Sequence, residues 1–197
     1  NSLIPKIVSI RTESGEYFEA IYIHPNPGIK SSAIIYNHSE IVTRLGYGPA
    51  KKRGYDLDSI AKSIADSKNA CLIPIRTKAY GRYGSETWAA SGGIVKAAFK
   101  FLQTKSDINE DAISIVGLSD GAIISMYAAS KSIKKDLLAL VLISPTFKSL
   151  HKDKVWKSFG DLEKYFKNLG INLDFLSKPS SPKLPVVVTT SIGDDEY

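Results

Sequence analysis

The chain has 197 residues, of which 43% are hydrophobic, and its formal net charge at pH 7 is +6. This length suits one domain with a sizeable core, and no apolar run approaches the roughly 18 residues that span a bilayer. The single cysteine, Cys71, excludes an internal disulfide framework and a multi-cysteine metal cage, and its apolar neighbours predict a buried structural thiol. The lysines are scattered and accompany no nucleic-acid motif, so we expect a solvated basic surface and no nucleic-acid partner.

The first third of the chain predicts three strands and one helix. Alternating or apolar patterns mark the three strands at residues 7–11, 16–23 and 32–36. The first two are expected to pair antiparallel across a short turn. A loop containing Gly46 and Gly48 is expected after the third strand. Helical spacing then predicts a helix over residues 56–68, with Asp56 as its N-cap.

Strands and helices alternate along the rest of the chain. Further strands are predicted at residues 69–75, 112–116, 137–144 and 184–190, and helices at residues 87–103 and 122–129. The strand at 137–144 is apolar without alternation, which is typical of a strand buried on both faces of a parallel sheet. The pattern therefore predicts a single α/β domain over residues 1–197, with a mostly parallel sheet and helices on both faces.

The segment between the last two strands, residues 146–183, is too long for a simple connection. Its apolar residues recur at helical spacing, with lysines opposite them. Two interpretations stay open on equal terms: an ordinary amphipathic helix packed on the body, or a cap over a functional site. A basic helix that docks on a membrane is a much less favoured third.

Residues 117–121 read Gly-Leu-Ser-Asp-Gly, a G-x-S-x-G motif between a predicted strand and a predicted helix. In this setting a serine stands on a sharp turn at the sheet edge, beside the positive N-terminus of a helix. The backbone comes so close there that glycines are needed on both sides. Ser119 is therefore a candidate nucleophile. The alternative is a glycine-rich turn whose serine only caps the helix.

Four segments occur in an order that resembles the α/β-hydrolase superfamily, and most of all its dienelactone-hydrolase-like and serine-peptidase-like branch. Residues 33–38 resemble a strand that ends in Asn-His-Gly, and residues 73–86 resemble an Arg-x-Gly-Tyr-Gly-x-Ser stretch. Residues 117–121 match the nucleophile elbow, and residues 186–195 resemble the strand that delivers a catalytic acid. The resemblance covers nearly all of the chain and implies the α/β-hydrolase fold.

The resemblance also implies roles for individual residues. Ser119 would be the nucleophile, and the backbone N–H of Asp120 would be one oxyanion donor. The second donor would be the backbone N–H of Ser39 or Glu40. His38 would support the oxyanion loop structurally. The family has a glycine where this chain has Ser39, which leaves the geometry of that donor open.

The resemblance places the catalytic acid at Asp194 or Asp195. Aligning Ser191 with a family glycine favours Asp194, whereas the residues that follow favour Asp195. The choice stays open, with a slight preference for Asp194.

The catalytic histidine of this family follows the acid in the chain, and the sequence stops at Tyr197. We therefore expect the C-terminal part of the fold, with that histidine, to lie outside this sequence. Among the histidines present, His24 lies in an early turn and is expected to be exposed. His151 lies in the 146–183 segment, where it would break the family's order of catalytic residues.

These inferences predict a serine hydrolase that forms an acyl-enzyme on Ser119 with a small-molecule ester or acyl substrate, an ester being favoured over a peptide or amide. A second hypothesis is a non-catalytic binding protein of the same fold that lacks the catalytic histidine. A third, a basic module that binds nucleic acid or an anionic membrane, rests on charge alone.

We expect no cofactor and no metal. The glycines at 46–48 and 81–84 do not complete a dinucleotide motif, and no set of ligand-type residues has metal-binding spacing. A soluble protein is expected, while its oligomeric state and the choice between cytoplasm and export stay open.

Overall fold

The computed structural model describes residues 3–77, 85–133, 136–145 and 184–189, together with residues 164, 167 and 168. Its described part contains a seven-stranded sheet in the order β1-β2-β4-β3-β5-β6-β7. The strands are β1 (Lys6–Arg11), β2 (Tyr17–Ile23), β3 (Ser31–Asn37), β4 (Ala70–Pro74), β5 (Ile108–Leu118), β6 (Ala139–Ile143) and β7 (Val186–Thr189). Strand β2 runs antiparallel to β1 and β4, and the other neighbours pair in parallel. The predicted mostly parallel sheet is confirmed.

The helices are α1 (Glu40–Leu45), α2 (Tyr47–Lys52), α3 (Leu57–Asp66), α4 (Ser85–Gln103) and α5 (Asp120–Ala128). A π-helical turn, Ala129–Ile133, continues α5. The prediction that Asp56 caps α3 is confirmed, because its carboxylate accepts hydrogen bonds from the backbone N–H groups of Asp58 and Ser59.

The prediction of a loop around Gly46 and Gly48 is wrong, because α1 and α2 occupy this stretch. Gly46 lies between them with a φ of 84°, so it ends the first helix and begins the second. Each helix has six residues and buries one side chain fully, Val42 in α1 and Ala50 in α2. Helices of fewer than two turns show too little periodicity to be recognised in the sequence.

The core lies on both faces of the sheet, and alternate residues of β4 show why. Leu72 packs into a cluster that includes residues of α4 and α5, whereas Cys71 and Ile73 pack into a second cluster with α1, α2 and α3. All of β4 is buried, as a central strand between two helical layers requires. The predicted buried thiol is confirmed: Cys71 is fully buried, and burial raises its pKa.

Parallel pairing brings the carboxyl ends of the strands to one edge of the sheet. Asn37 of β3 pairs with Gly117 of β5, and Leu118 of β5 pairs with Ile143 of β6. The residues that follow these strands therefore stand side by side along this edge, which we call the carboxyl edge. It is where ligands bind in open α/β sheets.

The predicted cap at 146–183 falls outside the described residues except at positions 164, 167 and 168, which are helical. Whether it covers the carboxyl edge stays a prediction. Within the described part of the chain, no helix is long and apolar enough to cross a membrane.

Candidate functional site at the carboxyl edge

Ser119 is the single residue between β5 and α5. Its φ of 58° and ψ of −119° lie in a region that residues other than glycine seldom adopt. Such a backbone costs about 1–3 kcal/mol and persists only where the surrounding structure enforces it. Here the N–H of Ser119 donates to the carbonyl of Ile143 at 2.9 Å, and its own carbonyl accepts from the N–H of Ala122 at 3.0 Å. The turn is therefore fixed by the neighbouring strand and by its own helix.

The glycines on either side of Ser119 are required by space. A Cβ on Gly117 would lie 2.5 Å from the carbonyl oxygen of Gly121, and a Cβ on Gly121 would lie 2.2 Å from the carbonyl oxygen of Asn37. Real Cβ atoms essentially never come this close to other atoms. The first turn of α5 thus packs directly on the end of β3, which only a residue without a side chain allows.

A buried hydrogen-bond chain holds the same two elements together. The Asn37 side-chain amide donates to the hydroxyl of Ser125 at 2.8 Å, and that hydroxyl donates to the carbonyl of Gly121 at 2.6 Å. Asn37 is at the end of β3, and Ser125 lies one turn into α5. The chain fixes the helix against the strand in one register.

His38 follows β3 and is buried, with 1% of its surface exposed. Its Nε2 accepts from the backbone N–H of Arg76 at 2.9 Å, so Nδ1 carries the proton and donates to the carbonyl of Ser39 at 2.9 Å. Burial first, and then the charge of Arg76, hold the pKa of His38 well below its usual range. Both ring nitrogens are thus engaged in a neutral ring, which suits a structural role in the loop after β3 and not proton transfer.

Arg76 forms a buried ion pair with Asp120, the residue directly after Ser119. Nη1 of Arg76 lies 3.0 Å from Oδ2 of Asp120, and the two side chains expose 4% and 8% of their surface. Nη2 of Arg76 also donates to the backbone carbonyl of His38 and to Oδ1 of Asp120, the latter at 3.4 Å. One guanidinium therefore connects the loop after β3 to the first residue of α5.

Ser39, directly after His38, is the N-cap of α1, and Glu40 is its first residue. Ser39 has a φ of −72° and a ψ of 165°, an extended conformation that any residue adopts, so this loop does not need the family's glycine here. The N–H groups of the first turn of a helix have no acceptor within the helix. Glu40 and Asp120 are the first residues of α1 and α5, the helices that follow the neighbouring strands β3 and β5. Burial and the nearby Asp120 carboxylate raise the pKa of Glu40.

Three other predicted positions lie outside the described residues: Asp194, Asp195 and His151. Strand β7 ends at Thr189 beside β6, so the chain reaches the carboxyl edge shortly before the two aspartates.

The expectation that His24 is exposed is wrong, since only 6% of its surface is accessible. Its Nδ1 accepts from the N–H of Asn26 at 3.2 Å, and its Nε2 lies 3.0 Å from the carbonyl oxygen of Asp107. Asp107 directly precedes β5, so His24 lies at the edge of the sheet opposite Ser119. It stabilises the turn after β2 and takes no part in the site.

Asn37 and Arg76 lie within two of the sequence motifs, but the motifs predict no role for either residue. Their position is the signal, because a polar residue at the end of a buried strand, as Asn37 is, or two residues beyond one, as Arg76 is, needs a partner. Among the residues that the structure describes, no group of three or more His, Cys, Asp or Glu side chains could hold a metal ion.

Neither a protein-family model nor a curated protein matches the sequence. Solved structures do match. Acylaminoacyl peptidase in complex with Z-Gly-Gly-Phe-chloromethyl ketone is 16% identical, with a TM-score of 0.66 over 96% of this chain and 32% of that chain. Esterase Est22 is 15% identical, with a TM-score of 0.63 over 96% of this chain and 62% of its own.

The α/β hydrolase GrgF from Penicillium sp. sh18 is 14% identical, with a TM-score of 0.57 over 84% of this chain and 52% of its own. This chain has the α/β-hydrolase fold. It spans 52–54% of the length of the first three matching structures, so it corresponds to about half of such a protein. The α/β-hydrolase resemblance seen in the sequence is confirmed at the level of fold.

We expect Gly121→Ala to lower the free energy of unfolding by at least about 2 kcal/mol, because the new methyl group would overlap the backbone of β3. Gly93→Ala in α4 is the matched control: nothing lies within 4 Å of its Cβ position. Alanine there should leave stability unchanged or raise it by up to about 1 kcal/mol through its better helix propensity. Urea unfolding of both variants measures the difference, and equal stabilities would contradict the close contact.

The buried, neutral His38 should make stability depend on pH. The pKa of His38 is lowered on folding, so below the unfolded value of about 6.5 the unfolded chain binds a proton that the folded chain excludes. The stabilisation is complete above that pH and is lost as pH falls, by up to about 1.4 kcal/mol per pH unit. Urea unfolding between pH 7 and pH 5 should show this slope in the wild type, and a smaller one in His38→Gln. Identical slopes would contradict the prediction, because they would show that folding does not lower the pKa of His38.

Proposed function

We propose that the protein is a serine hydrolase in which Ser119 attacks a carbonyl carbon and forms an acyl-enzyme. The observation that carries the proposal is the backbone of Ser119, a strained conformation held at the carboxyl edge between β5 and α5. A turn that only caps a helix needs no such strain, since cap residues adopt ordinary extended backbone. Strain of this kind is typical of functional sites.

The N-termini of two helices support the same proposal. The backbone N–H of Asp120 and that of Ser39 or Glu40 are proposed to stabilise the oxyanion that forms when Ser119 attacks. Arg76 bonds to the Asp120 carboxylate and to the carbonyl of His38, which precedes Ser39, and these bonds are proposed to keep the donors in place before the reaction. Losing one such donor typically slows acyl transfer by about 100- to 1,000-fold.

The nucleophile needs a base, because a serine hydroxyl is a poor nucleophile at neutral pH. His38 is buried with both ring nitrogens engaged, and His24 lies at the opposite edge of the sheet. Neither is therefore proposed as the base. The proposed base is a histidine that follows the acid in the chain, as the family's order places it. Asp194, or alternatively Asp195, is proposed to orient it. His151 is the alternative base within this sequence.

The proposed reaction has two steps. In the first, Ser119 Oγ forms a bond to the substrate carbonyl carbon, the base takes the hydroxyl proton, and the bond to the leaving alcohol breaks as that proton is returned to it. In the second, the base takes a proton from water, whose oxygen bonds to the acyl carbon. The bond to Ser119 Oγ breaks as that proton is returned to Oγ, and the acid is released. Each step balances without a cofactor.

An ester of a small molecule is the proposed substrate, ahead of a peptide or amide. The solved structures of this fold that match the chain include an esterase, an acylaminoacyl peptidase and a puromycin hydrolase. Their names support hydrolysis of an acyl bond in general. The preference for an ester follows the dienelactone-hydrolase-like motifs of the sequence.

We expect Ser119→Ala to abolish hydrolysis of p-nitrophenyl acetate while the circular dichroism spectrum is kept, because the nucleophile is gone and the fold is not. Ser67→Ala is the matched control, since Ser67 is an exposed serine that ends α3 at the opposite edge of the sheet. It should hydrolyse the ester at the wild-type rate. With the full-length protein, wild-type turnover by Ser119→Ala would reject the proposal, and a folded but inactive wild type would favour the binding-protein hypothesis.

A further inference from the structure

The ion pair of Arg76 and Asp120 lies where charge matters most for the proposed reaction. Asp120 directly follows Ser119, and its backbone N–H is one of the two proposed oxyanion donors. Its carboxylate is a negative charge beside the place where a second negative charge would form. Both partners are almost completely buried, so water screens this charge weakly.

Arg76 makes contacts that a purely structural ion pair does not need. Its guanidinium binds the Asp120 carboxylate through both terminal nitrogens and also holds the carbonyl of His38, the residue before the second proposed donor. Its backbone N–H fixes the His38 ring as well. Arg76 thus contacts both Asp120, which carries the first proposed donor, and His38, which directly precedes Ser39.

We propose that Arg76 is a positioning residue for catalysis: it neutralises the Asp120 carboxylate beside the nascent oxyanion and holds the two oxyanion donors in one arrangement. This inference rests on the proposed function of Ser119. It gives Arg76, which lies within the 73–86 segment, a part in the reaction that is exerted through Asp120 and His38 and not through contact with the substrate.

Substituting one partner of the ion pair leaves the charge of the other, and the sign of that charge distinguishes a role in catalysis from a purely structural role. Removing either partner of a buried ion pair leaves one unpaired buried charge, so both single variants should lose stability. Their effects on the reaction should differ. Arg76→Gln leaves a negative charge that opposes the oxyanion, whereas Asp120→Asn leaves a positive charge that favours it and keeps the backbone donor.

The experiment measures the rate at which a fluorophosphonate modifies Ser119 in the full-length protein, alongside the melting temperature of each variant. We expect Arg76→Gln to slow modification by about 100-fold, comparable to the loss of an oxyanion donor. Asp120→Asn should slow it by less than about tenfold, although both variants melt at lower temperature. The double variant Arg76→Gln/Asp120→Asn should react at least about tenfold faster than Arg76→Gln, since the opposing charge is removed.

The possible results test the role of Arg76 separately from the proposed function of Ser119. If the wild type is modified but the two single variants slow by the same factor, or the double variant is no faster than Arg76→Gln, the inference is overturned and the nucleophile stands. If the wild type is not modified at Ser119, the proposed function fails and the inference fails with it. Should Arg76→Gln not fold, Asp120→Asn still decides: slowing of about 100-fold would overturn the inference.

Discussion

The structure of the site depends on the direct contact between the first turn of α5 and the end of β3. No side chain separates the two backbones at Gly121, and a Cβ there would lie 2.2 Å from the carbonyl oxygen of Asn37. This contact brings the start of α5 next to the loop that carries His38 and Ser39. Because close-packed backbones cannot slide without a clash, the relative positions of Ser119, Asp120 and this loop are set by the fold itself.

The hydrogen bonds around this contact keep the strained turn in place. The ladder between the strands continues past their ends, with the N–H of Ser119 bonded to Ile143 and the N–H of Ser144 bonded to Thr189. Ser144 also has a positive φ, of 42°, so the strain occurs at two neighbouring points of the carboxyl edge. Such conformations are kept when many interactions determine them together, and they cluster where a group must be presented to a ligand. This is the physical basis for regarding Ser119 as a nucleophile.

Much of the fold, and the turn at Ser119, could be predicted from the sequence, because these features depend on local patterns. The apolar strands, the capped helix α3 and the G-x-S-x-G turn each have a signature within ten or so residues, and the motifs then indicated the fold. The short helices α1 and α2, the burial of His24 and the role of Arg76 could not be predicted in this way. The two helices are too short to show a periodicity, whereas His24 and Arg76 depend on partners distant in the chain: His24 is bonded to Asp107, and Arg76 to His38 and Asp120. Such partners become neighbours only when the sheet is assembled.

The central claim is that the fold presents Ser119 as a nucleophile, and peptide mapping of the full-length protein after treatment with a fluorophosphonate tests it most directly. The account predicts one phosphonyl adduct per chain, on the peptide that contains Ser119, and none on the peptides of other serines. Protein that stays unmodified, or that is modified at another serine while Ser119 is intact, would contradict it. Either result would mean that the strained turn serves the packing of α5 on the sheet and not catalysis.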